Sequence, residues 1–64
     1  MPIQQDLRRA GIDPADLRAV LRYIALIPVP RTNRIQLLRQ YEMETLIAFD
    51  PRDFARAVDG IPPS

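Results

Sequence analysis

Nine arginines and no lysine carry the positive charge of this chain. Five of them, Arg18, Arg22, Arg31, Arg34 and Arg39, fall between Leu17 and Tyr41, a stretch without one acidic side chain. A guanidinium is a planar fork of donors that grips phosphate, carboxylate and aromatic faces where an ammonium offers a point charge. Arg18 and Arg22 are one helical turn apart and point the same way, while Arg31 and Arg34 bracket a helix start, where backbone N–H groups also face outward. Such a set can hold a phosphate or a nucleic-acid backbone. It can equally pair with Glu42, Glu44 or Asp53 of the chain itself or of a second copy.

The flanks supply those carboxylates. Residues 1–16 carry a net −1, with Arg8 and Arg9 against Asp6, Asp13 and Asp16. Residues 42–64 carry −3, with Arg52 and Arg56 against Glu42, Glu44, Asp50, Asp53 and Asp59. The chain is therefore acidic, basic, acidic, for a total of +1. Two bland accounts stand beside a binding role. Arginine without lysine follows from a GC-rich coding bias, and charge blocks form a solvated, internally paired surface whose isolated ion pairs contribute ~0–1 kcal/mol each.

Catalysis has little to work with. There is no histidine for acid–base chemistry and no cysteine for nucleophilic attack, and the same two absences remove disulfides and the usual zinc sites. Glu42 and Glu44, two residues apart, face different sides of a helix. Gly11 and Gly60 read as helix stops, not as a phosphate loop, and the one serine, Ser64, lies in the tail. The expectation is a protein that is not an enzyme, with no cofactor, no metal and no small-molecule substrate.

The elements that position these residues are written in capping chemistry. Ile12-Asp13-Pro14-Ala15-Asp16-Leu17 and Phe49-Asp50-Pro51-Arg52-Asp53-Phe54 each offer an N-cap aspartate, a proline at the first helical position and a second aspartate at the positive end of the helix dipole. Ile12 with Leu17, and Phe49 with Phe54, have the spacing of a hydrophobic staple. Helices are thus predicted over 14–27 and 51–59. A short helix over 2–10 ends at Gly11, with Ile12 reaching back to Leu7; Gly60 and Ile61 repeat that device, and 61–64 form a tail. Pro28-Val29-Pro30 is a rigid connector. Thr32 or Asn33 caps a helix over 34–48, although Tyr41, Met43, Thr45, Ile47 and Phe49 also alternate as a strand does, which leaves 45–49 open to a strand or a kink.

The fold expected is all-α, one small domain over 1–64 built as a compact bundle of three main helices plus a short C-terminal helix. Its core is Leu7, Leu17, Val20, Leu21, Ile24, Ile27, Ile35, Leu38, Tyr41, Phe49, Phe54 and Val58. Ala19, Tyr23 and Leu26 make a second stripe on helix two, read first as more core and second as a contact for a partner molecule. With 64 residues and no cross-link, such a core gives a small margin over chain entropy, which favours self-association or docking.

The function expected is a non-catalytic protein–protein interaction or assembly module, a small adaptor or regulator. It pairs with itself or with a larger protein through Arg18, Arg22, Arg31, Arg34 and Arg39 with Tyr23 and Leu26. The alternative is a small helix-turn-helix-like DNA-binding regulator in which Arg34, Gln36, Arg39 and Gln40 read bases. Against it stand a Pro-Val-Pro connection in place of a tight turn containing glycine and a small positive excess. The start Met1-Pro2-Ile3-Gln4-Gln5-Asp6 has no signal-peptide pattern, and the longest apolar run, Tyr23 to Val29, is broken by Pro28. A soluble, cytoplasmic protein without a membrane partner is the expectation.

Overall fold

Two glycines and a leucine mark where the helices stop. The computed structural model describes residues 2–64, and the described residues form four helices and no strand: α1 (Ile3–Arg9), α2 (Leu17–Leu26), α3 (Arg31–Thr45) and α4 (Pro51–Val58). Gly11 and Gly60 take φ of +78° and +80°. The N–H of Ile12 donates to the Leu7 carbonyl at 2.8 Å, and that of Ile61 to the Arg56 carbonyl at 2.9 Å, so α1 and α4 end in the same six-residue closure. The third stop is Leu46, left-handed at φ +60° and 91% exposed. It ends α3 at Thr45, three residues before the predicted boundary, and residues 46–50 run on as neither helix nor strand.

Helix starts divide between expectation and correction. Asp50 caps α4 as predicted, its carboxylate accepting from Arg52 N–H at 2.8 Å. Asp13 does not cap α2. Its carboxylate accepts from Ala15 N–H in a separate turn, and the cap is Asp16, accepting from Ala19 N–H at 3.1 Å, so that α2 begins three residues later. Thr32 and Asn33 do not cap α3 either. The Pro30 carbonyl already accepts from Asn33 and Arg34 N–H, which makes Pro30 the boundary residue and moves the start from 34 to 31.

The helices close on Ile3, Leu7, Val20, Leu21, Ile24, Ala25, Leu38, Tyr41, Phe49, Ala57 and Val58. Of the predicted core, Ile27, Ile35 and Phe54 are half-buried at its rim. Leu17 is 36% exposed because the later helix start puts it in the first turn. Ile3, Ala25 and Ala57 are the additions. The two alanines lie buried on α2 and α4, the most extensively packed pair, and have no bulk to hold the backbones apart. Tyr41 stacks on Phe49 with ring centroids 5.1 Å apart and donates its hydroxyl to the Pro14 carbonyl. The total surface, 4313 Å², is close to the ~4,200 Å² of a folded monomer of this mass. A lone copy thus covers its core, and its surplus apolar surface is local.

Candidate functional site

The predicted arginines do not form one cluster. Arg34 turns inward: its Nη1 donates to the Val58 carbonyl at 3.1 Å, and its Nε is buried with no partner. Arg31 pairs with Asp59 at 3.2 Å, both side chains being largely exposed. Two of the five therefore serve the C-terminal end of α4, where cations complement free carbonyls and the negative pole of the dipole. Arg18, Arg22 and Arg39 make no ion pair or hydrogen bond among the described residues. They line three separate hollows, Arg18 beside Leu21 and Asp53, Arg22 beside Leu26, and Arg39 beside Met43 and Phe54.

At the far end of α3 the carboxylates behave in the same way. Glu44 accepts from Ile3 N–H at 2.9 Å and from the Gln40 amide at 3.1 Å. The Ile3 N–H above all holds its carboxyl below the ordinary glutamate range. Glu42 accepts from Phe49 N–H at 2.8 Å and ties down the linker after α3. So α3 carries cations at its own positive pole and carboxylates toward its negative one, which is wrong for its own dipole and right for α4 and α1. These roles were missed in the sequence. The available signal was that α1 has no capping side chain of its own, so its first N–H groups require an acceptor from elsewhere.

The uncommitted surface is the outer face of α2. Eight of its ten residues are apolar and the other two are Arg18 and Arg22. Val20, Leu21, Ile24 and Ala25 face the core. Ala19 and Tyr23 are half-buried and Leu26 is 58% exposed. The reading of the second stripe as core holds at Tyr23, which packs against the core cluster, and fails at Leu26. With Ile12, Arg22, Ile27 and Pro28 these residues line an open groove of about 350 Å³. Tyr23 and Ile27 also wall a neighbouring hollow of about 430 Å³ that reaches Leu7 and Leu37. A second apolar knuckle, Met43, Leu46 and Ile47, stands at 78%, 91% and 41% exposure at the end of α3.

Reactive groups are otherwise occupied. Burial first, then Asp13 and Asp16, hold the Tyr41 phenol above its ordinary range, so it remains a neutral donor to Pro14. Among the described residues no group of three or more acidic side chains is placed to hold a metal ion, and no helix is long and apolar enough to cross a membrane. Compared with protein-family models, with curated proteins and with solved structures, the chain matches none.

Proposed function

We propose that this chain is a non-catalytic interaction module, a small adaptor or assembly factor that self-associates or docks on a larger protein through the outer face of α2. The observation that carries the reading is Leu26, 58% exposed on a helix that is apolar on two sides. A helix of that composition is ordinarily covered on both. Full burial of one such side chain contributes about 1.5–3 kcal/mol, and Arg22 at the groove edge adds a directional contact that discriminates among partners. The DNA-binding alternative receives less support, since Arg34 is spent on α4 and Gln40 on Glu44.

The test is Leu26→Asp. The side chain lies outside the core, so the circular-dichroism melt should stay within a few degrees of wild type, while association measured by light scattering, or binding of an apolar fluorescent dye, should be lost. Unchanged association and unchanged dye binding would remove the α2 face from consideration.

A further inference from the structure

The fold engages its carboxylates and leaves most of its arginines free. Asp13, Asp16, Glu42, Glu44 and Asp50 each accept a backbone N–H, and Asp6 and Asp59 stand in ion pairs. Of the eight acidic side chains only Asp53 has no such partner among the described residues. Of the nine guanidinium groups six make no ion pair or hydrogen bond among the described residues: Arg8, Arg18, Arg22, Arg39, Arg52 and Arg56. A net charge of +1 therefore understates the positive charge that is available for contact.

Four of these six sit on α2 and α4, which pack on each other. Arg18 and Arg22 are one turn apart on α2, Arg52 and Arg56 are one turn apart on α4, and all four are exposed. The two rows meet where Arg18 and Arg56 together line a polar hollow of about 310 Å³. The half-buried Asp53 is the one carboxylate that lines it. Asp16 and Asp50, at the starts of the same helices, are turned onto their own N–H groups.

We infer that this seam between α2 and α4 binds the phosphate backbone of a nucleic acid without reading its sequence. Guanidinium forks pair bidentately with phosphate oxygens, and two rows of them, each stepping by one helical turn, suit a ligand whose charge repeats. Such contacts position a strand and carry no base information, so they need neither Arg34 nor Gln40. A membrane surface fits less well. It rewards apolar side chains inserted beside the cations, and Leu17, at 36%, is the only large apolar residue that the hollow leaves exposed. The inference adds a second ligand to the proposed interaction module and does not depend on Leu26.

The probe is a short fluorescent DNA duplex of mixed sequence, titrated with the whole chain and read by anisotropy. With four phosphates neutralised, affinity should fall roughly a hundredfold between about 50 and 200 mM salt, and two unrelated sequences should bind alike. Arg18→Gln with Arg56→Gln should halve the salt slope and weaken binding at low salt by about tenfold or more. Arg18→Lys with Arg56→Lys, which keeps the charge, should retain the slope. Arg8→Gln with Arg39→Gln removes as much charge elsewhere and should have a clearly smaller effect than the Arg18 and Arg56 pair. Each variant is checked for a wild-type melt.

Equal losses in the two glutamine pairs, a salt-independent affinity, or no binding at the lowest salt would overturn the inference. Displacement of the duplex by phosphatidylserine vesicles or by polyglutamate at equal charge would overturn it too, and would make the ligand a membrane or an acidic protein.

Discussion

The chain writes the same apolar-Asp-Pro-x-Asp-apolar pattern ahead of two helices, and the structure treats the two copies differently. Asp13 and Asp50 make the same first bond, each carboxylate accepting from the N–H two residues on, at 2.9 and 2.8 Å. After that they part. The Asp50 carbonyl accepts from Phe54 N–H and α4 is under way, whereas the Asp13 carbonyl accepts from Asp16 N–H, one residue nearer, and a single turn closes before α2 begins. A contact present at one start and not at the other is that of Tyr41. Its hydroxyl takes the buried Pro14 carbonyl, which a helix begun at Pro14 would have offered to Arg18 N–H. Local chemistry makes the same first bond twice, and the contact that accompanies the shorter turn comes from a distant side chain.

The largest effect that bears on this contrast comes from Tyr41→Phe. The ring and its stack on Phe49 remain, but a buried carbonyl loses its donor, at a cost of about 1–3 kcal/mol by denaturant unfolding. Backbone chemical shifts at 14–16 should move toward helix as the carbonyl becomes available to the chain. A loss of stability below about 0.5 kcal/mol, with no such movement, would break the comparison.

The capping aspartates sharpen it at the next level. Asp16→Ala and Asp50→Ala should each cost about 1 kcal/mol, the usual worth of an N-cap, and Asp13→Ala clearly less. Equal losses at Asp13 and Asp16 would show that both carboxylates support one helix start.

The smallest effect belongs to the third start, that of α1, whose cap is borrowed from Glu44. A carboxyl held below its ordinary range in the folded protein adds stability above its unfolded pKa and loses it as pH falls through the folded value. Protection factors of the α1 amides, taken against intrinsic exchange at each pH, should therefore fall as the solution is acidified past the ordinary glutamate range. In Glu44→Gln, α1 should exchange faster at neutral pH and respond less to acid. Identical pH profiles in the two proteins would mean that this carboxylate does not hold α1.

Where structure followed from neighbours in the chain, the sequence was enough. The all-α class, the two glycine stops, the Asp50 start and eight of the predicted core residues are of this kind. The α2 start comes with a contact from Tyr41, 27 positions from Pro14. The α3 end depended on a leucine in a conformation normally left to glycine or asparagine, for which no residue type gave notice. For the candidate surface, Tyr23 and Leu26 were visible as a stripe, yet whether a stripe is covered is a fact about neighbours. Arg34 shows the same limit from the other side: its spacing suited a ligand, and the Val58 carbonyl takes it first.

The inverted charge of α3 makes the fold hard to divide. A peptide of residues 31–45 alone would place Arg31 and Arg34 against its own free N–H groups, and Glu42 and Glu44 against its own free carbonyls. Such charges cost about 0.3–1 kcal/mol each in a helix that is barely stable at fifteen residues. It would spend most of its time as coil. Within the whole chain the same charges are satisfied once α1 and α4 arrive, so order in the central helix is lent by the segments on either side, and removing either end should loosen all of it.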